Sequence, residues 1–117
     1  MFRSVTPVIR TGNYAKARGF YADILGFSCT EEAGAPPVFG IFKRDGIEIF
    51  LDGQNGADAP HNHWRAYFTV EDAEALSQDI RDAGGILSKD LHTTVYGMRE
   101  FELTDPDGNV ICFGADV

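Results

Sequence analysis

The chain has 117 residues, a net charge of −8, 44% hydrophobic and 24% charged residues, and two cysteines. This is the size of one compact domain whose core is large enough to fold without staples. The acidic balance excludes a nucleic-acid partner, which needs a basic face; no apolar run approaches the ~18 residues of a membrane span, and two cysteines cannot build a disulfide framework. The acidity itself reads either as plain solubility or as a negative surface that attracts cationic ligands. The N-terminus "MFRSVTPVIRTG" lacks the apolar core of a signal peptide. A cytoplasmic protein is expected, with no membrane contact and with Cys29 and Cys112 as reduced thiols.

The first strand is read in "TPVIRTG" (6–12), followed by a helix in "NYAKARGFYADILGF" (13–27). Asn13 suits its N-cap and Gly26 its left-handed end. Ala17, Phe20, Tyr21, Ile24 and Leu25 recur at helical spacing and form its buried stripe. Three strand segments follow, "FSCTEE", "PVFGIFK" and "IEIFLD". The Asp-Gly of "RDG" joins the last two as a type I′ hairpin turn. "DGQNGADAPHNH" (52–63) has the composition of a linker.

The plan then repeats. "RAYFTVEDAEALSQDIRDAGGI" (65–86) overlays 6–27 at a shift of 59, with Asn13 on Asp72, Asp23 on Asp82, Gly26 on Gly85 and Phe27 on Ile86. The second helix buries Ala73, Leu76, Ile80 and Ala83, with Asp72 as its N-cap and Gly85 as its left-handed end. "GILSKD", "REFELT" and "NVICFG" are its strands. The last two are joined by "DPDGN", a corner in which Pro106 presets φ, Gly108 supplies φ > 0, and Asp105 and Asn109 bond nearby backbone. Its acids are expected to be structural.

Strand alternation gives a lining. With Ala66, Phe68 and Val70 under the second helix, Arg65, Tyr67 and Thr69 turn to the other face, and His63 shares their parity. Thr6, Val8 and Arg10 do the same in the first strand, and Glu48, Phe50 and Asp52 come together in the hairpin. Trp64 is core, interface or stacking platform. Cys112 sits among apolar residues and reads as an inert thiol. His61 and His63 would share one strand face, and with His92 and a carboxylate could make a metal set, but they adjoin a linker. No GxSxG element and no phosphate loop is present.

The paired β-α-β-β-β pattern, "FYADILGF" closing the first helix and "GMREFELTDPDGNVICFG" at the C-terminus resemble the vicinal oxygen chelate superfamily. That superfamily holds glyoxalase I, extradiol dioxygenases, and the fosfomycin and bleomycin resistance proteins, and the ending is most similar to the bleomycin-resistance branch. The resemblance implies an α+β fold. Two βαβββ modules (about 1–53 and 63–117, linker about 52–63) would make one 1–117 domain, a curved, half-open mixed sheet around a cleft with helices on the outer face. It also implies a homodimer, since a partner often completes that cleft.

Metal-dependent members carry His, Gln or Glu at four strand positions, matched here by Thr6, Glu48, Arg65 and Cys112. Only Glu48 is a usual donor, and Arg65 would put a fixed positive charge where a cation should sit. No metal, no cofactor and no catalytic residue is therefore expected. The implied function is metal-independent binding of a small molecule, with sequestration of a cationic aromatic antibiotic such as bleomycin as the leading form. Arg10, Glu48, Phe50, His63, Trp64, Arg65, Tyr67, Arg99 and Cys112 are the candidate ligand-binding residues, and Glu48 is expected to pair with a donor such as Arg65 or Arg10. Arg10 and Arg65 would equally suit an anion. Two alternatives are a lyase, isomerase or dioxygenase of this superfamily, and an accessory module without a small ligand.

Overall fold

The structure is a computed structural model that describes residues 1–59 and 62–117. The chain divides into two compact units, Met1–Ala59 and Pro60–Val117. The first contains β1 (Val8–Arg10), α1 (Tyr14–Gly19) running on as a π-helical turn (Phe20–Ile24), β2 (Ser28–Ala33), β3 (Phe39–Arg44) and β4 (Ile47–Asp52). The second repeats this order with β5 (Trp64–Thr69), α2 (Ala73–Asp82), β6 (Leu87–Thr93), β7 (Met98–Thr104) and β8 (Val110–Asp116). The strand orders are β1-β4-β3-β2 and β5-β8-β7-β6. In each sheet the first and last strands pair in parallel and the others antiparallel. Neither sheet closes on itself, so the α+β architecture of two open βαβββ modules is as expected.

Both helices begin as their sequences dictate. Asn13 Oδ1 accepts from the Lys16 backbone N–H at 3.1 Å, and Asp72 Oδ1 from that of Ala75 at 3.0 Å. Their ends differ from the sequence overlay. Gly26 (φ +69°) is matched by Gly84 (φ +94°) and not by Gly85. The π-helical turn is the cause: Leu25 N–H reaches back five residues to Phe20 C=O at 3.3 Å, which fits one extra residue into the first helix. A shift of 59 at the caps becomes 58 at the ends. Phe27 is buried as a result, whereas Ile86 is 85% exposed, and Ala83 also lies outside the core. The buried positions are Tyr14, Ala17, Tyr21 and Leu25 in the first unit, and Ala73, Ser77 and Ile80 in the second. Phe20, Ile24 and Leu76 are half-buried.

Each helix covers one sheet face. Ile9, Phe42, Ile49 and Leu51 fill the first core; Phe101, Leu103, Ile111 and Phe113 fill the second, with Phe101 and Phe113 stacked at 4.9 Å. The β3–β4 turn is the expected two-residue hairpin, with Asp45 (φ +51°) and Gly46 (φ +79°) between the partners Arg44 and Ile47.

The β7–β8 corner is a closed hydrogen-bond unit. Asp105 Oδ1 accepts from the N–H groups of Asp107 and Asn109, both at 2.9 Å, and Asp105 Oδ2 from Asn109 Nδ2 at 2.8 Å. Arg65 Nε, on β5, donates to Asn109 Oδ1 at 3.1 Å. The corner therefore fixes hairpin register and ties the edge strand to it, which gives Asp105 and Asn109 structural work. Asp105→Ala should destabilise the protein by about 2–4 kcal/mol, because three donors, two of them buried, lose their acceptor. Urea unfolding measures this, and a loss below ~1 kcal/mol would show the corner to be dispensable.

Candidate functional site

Cross-strand register sorts the side chains of each sheet into a helix-covered face and a helix-free face. In the first sheet the helix-free face carries Thr6, Val8 and Arg10 from the β1 segment, Phe39, Ile41 and Lys43 from β3, and Glu48, Phe50 and Asp52 from β4. Phe39 and Phe50 contact at 5.3 Å. A depression of about 270 Å³ is lined by Glu31, Glu32, Ala33, Phe39 and Ile41. Glu31 joins this face because a bulge between Cys29 and Glu31 resets the alternation of β2. That bulge carries no sequence signal such as glycine, so the face of Glu31 was not identifiable from strand parity, whereas Phe39 and Ile41 follow from the regular β3–β4 register across the Asp-Gly turn.

Glu48 does pair with donors, but with different ones from those expected. Lys43 Nζ stands 3.6 Å from Oε1, and Thr6 Oγ1 donates to Oε2 at 3.2 Å. Lys43 is Glu48's direct partner in the β3–β4 register, which makes the nearest cation a hairpin neighbour. Arg10 lies 3.8 Å from Asp58 instead.

The second sheet presents a different set. Tyr67 and Cys112 are register partners on the helix-free face, as are Glu100 and Gly114. Glu100 is 2% exposed, and its Oε2 accepts from Tyr67 Oη at 2.8 Å and from Tyr96 Oη at 2.7 Å. Trp64 is 44% exposed, donates from Nε1 to Glu102 Oε2 at 3.1 Å, and packs its ring 5.2 Å from that of Tyr67. Burial and then the hydrogen bond to Glu100 push the Tyr67 hydroxyl above its ordinary range, and the same hydrogen bond leads the rise at Tyr96. Burial, followed by the charge of Glu100 and Glu102, pushes the Cys112 thiol up to about 12. The thiol is inert, as expected from its apolar neighbours.

Two candidates fall elsewhere. Arg99 lies on the helix-covered face, 3.6 Å from Glu74 of α2, and donates to Thr93 Oγ1 at 3.2 Å. It shares strand parity with the buried Phe101 and Leu103, and so cannot share a face with Glu100. Arg65 is the extra residue of a bulge between Trp64 and Ala66, which turns it to the β7–β8 corner and leaves Trp64 on the helix-free face. His63 is exposed in the bend before β5, and His92 stands across from Glu100 on β6. The pairing of His63 with His61 lies outside the described residues.

The four positions matched to family metal ligands do not fit a divalent cation. Thr6 donates to Glu48, Lys43 neutralises it, Arg65 is engaged by Asn109, and Cys112 holds its proton. Among the described residues, no three His, Cys, Asp or Glu side chains converge to hold a metal ion.

With this geometry in place, the comparisons agree on class. The sequence matches the Glyoxalase/Bleomycin resistance protein/Dioxygenase superfamily over residues 3–113. The chain belongs to that superfamily. Among solved structures it is similar to an antibiotic binding protein from a Streptomyces species (18% identity, 100% of this chain and 99% of that one, TM-score 0.75). It is also similar to a fosfomycin resistance protein from Listeria monocytogenes (13%, 100% and 95%, TM-score 0.76) and a lactoylglutathione lyase from Agrobacterium tumefaciens (16%, 96% and 92%, TM-score 0.74). At these identities the likeness is one of fold. No curated protein matches the sequence. No helix among the described residues is long and apolar enough to cross a membrane.

The thiols give a direct check of this face. The folded pKa of Cys112 lies above the unfolded ~8.5, so its contribution to stability is complete below that pH and is lost as pH rises towards 12. At pH 8 a maleimide should label Cys29, which is partly exposed, and leave Cys112 untouched until urea is added. Intact mass spectrometry reads the count, and rapid double labelling of the native protein would contradict the placement.

Proposed function

We propose that this chain is a cytoplasmic binding protein that sequesters a small cationic, aromatic molecule on a helix-free sheet face, with no metal and no turnover. The observation that carries this reading is the depression of about 270 Å³ in the first unit, where Phe39 and Ile41 lie beside Phe50 and Glu31 supplies an acid on the same face, while the other lining acid, Glu32, is paired with Arg18. An apolar aromatic floor with a few acids is the composition of a site for an aromatic cation. The net charge of −8 favours the approach of such a ligand at low salt. Binding of this kind has a precedent in the fold, since the Streptomyces neighbour is described as an antibiotic binding protein. Family positions filled by Thr6, Lys43-paired Glu48, Arg65 and Cys112 support a metal-independent mode.

Bleomycin is a suitable probe. It should raise the melting temperature by several degrees in 50 mM NaCl and by less in 500 mM, and EDTA should change neither result. The drug should be recovered chemically unchanged, and Phe50→Ala should reduce the shift by half or more. Metal-dependent conversion of the probe would move the protein to the enzymes of the superfamily, and no shift at either salt would remove sequestration of this drug.

The chain is also proposed to act as a twofold homodimer. Each open sheet leaves two edge strands, β1 and β2 in one unit and β5 and β6 in the other. Unpaired edges favour a partner, and most small homo-oligomers are twofold. Light scattering at tens of micromolar should return twice the chain mass of 12.8 kDa; a monomer mass would refute it.

A further inference from the structure

In the second unit, two phenol hydroxyls converge on one carboxylate oxygen. Tyr67 and Tyr96 both donate to Glu100 Oε2, on a residue that is 2% exposed. The arrangement is built into the backbone: a methyl group at Gly114, the register partner of Glu100, would overlap the Tyr67 hydroxyl. Phenol hydroxyls satisfy lone pairs but bring no charge. Glu102, two residues along the same face, likewise receives only the neutral Trp64 N–H. The positive residues across from them on β6, Lys89 and His92, form no ion pair with either among the described residues. His92 turns Nδ1 to the Asp90 carbonyl at 2.8 Å.

A poorly solvated carboxylate gains most from a compensating charge. The rings beside it would assist, because the faces of Trp and Tyr attract cations. We infer that Trp64, Tyr67, Tyr96, Glu100 and Glu102 form a subsite for an N–H-bearing organic cation, such as an amidinium, guanidinium or ammonium group. Its apolar part lies against the Trp64 and Tyr67 rings, and its N–H groups reach the Glu100 and Glu102 carboxylates. Tyr96 is the cover. It is 61% exposed, precedes the β7 strand in a turn, and can release its hydroxyl from Glu100 as a charged donor arrives. The incoming donor then brings the opposite charge that the phenol lacks. This assignment rests on the reading above that the helix-free faces take small cationic molecules, and it concerns the second unit by itself.

Trp64 is the only tryptophan in the chain, so the subsite carries its own reporter. Benzamidinium and the neutral, nearly isosteric benzamide are titrated against the whole protein, followed by tryptophan fluorescence. Benzamidinium should change the emission saturably, with benzamide at least about tenfold weaker. Glu100→Gln should weaken benzamidinium about tenfold or more. Glu74→Gln, which removes one charge from the helix-covered side of the same unit, should leave its affinity within twofold. Equal affinity for the amide and the amidinium overturns the assignment on the unaltered protein, whatever the fate of the variants. So does a Glu100→Gln protein that binds like the parent. If benzamidinium leaves Trp64 unaffected while bleomycin still raises the melting temperature, the subsite is wrong and the binding reading stands; failure of both removes both.

Discussion

The parallel pairing of the first and last strand in each unit governs the rest of the structure. Two parallel neighbours cannot be joined by a tight turn, so the chain between them must leave the sheet and return. It does so as a helix followed by an antiparallel run of three strands. One helix can cover only one face of a four-stranded sheet. Buried apolar residues accordingly collect on that face, and the opposite face keeps the polar and aromatic side chains. A surface of this kind is available to a ligand without disturbing the core, which is why the functional reading falls there.

The two units solve the same local problem in opposite places. Each sheet has a glycine in a central position where a tyrosine hydroxyl passes to reach a glutamate: Gly40, Tyr14 and Glu32 in the first unit, Gly114, Tyr67 and Glu100 in the second. In the first unit the tyrosine comes from α1, so the bond lies on the helix-covered side. Arg18 then closes on Glu32 at 2.6 Å and supplies the opposite charge. The Tyr14 hydrogen bond, followed by that of Arg18, holds the Glu32 carboxyl below its usual range. In the second unit the tyrosine comes from the strand, so the bond lies on the helix-free side and no arginine follows. A charge neutralised by its own unit is architecture. A charge left with neutral donors on a helix-free face is what the proposed subsite uses.

The repeat, the β-α-β-β-β succession, the N-caps and the parity of Thr6, Val8, Arg10, Glu48 and Phe50 were legible in the sequence because each depends on neighbours a few residues apart. Asn13 and Asp72 need only reach their own first turn. What escaped was set by single-residue insertions and by register. The π-helical turn lengthened the first helix by one residue, so the overlay put the second helix's end at Gly85 rather than Gly84 and matched the exposed Ile86 to the buried Phe27. The bulge before Ala66 exchanged the faces of Arg65 and Trp64. Neither is marked by glycine or proline. Glu100 was hidden for a different reason: its importance comes from Tyr67, thirty-three residues away, and no local pattern reveals which acid a distant hydroxyl will meet.

The exchange of Arg65 and Trp64 also settles how an acidic face could remain acidic. Had strict alternation held, a guanidinium would stand on the helix-free side near Glu102 and Glu100, and would neutralise them from within. The bulge sends it to Asn109, where the "DPDGN" corner is stabilised and the edge strand is held in register. The indole takes its place, offering Glu102 a hydrogen bond without a charge. One inserted residue therefore does two things together. It gives the C-terminal corner the donor it needs, and it keeps that guanidinium away from the carboxylates beside Tyr67. The long acidic corner and the aromatic acid face are consequences of the same backbone irregularity, and a substitution that straightened β5 would be felt at both.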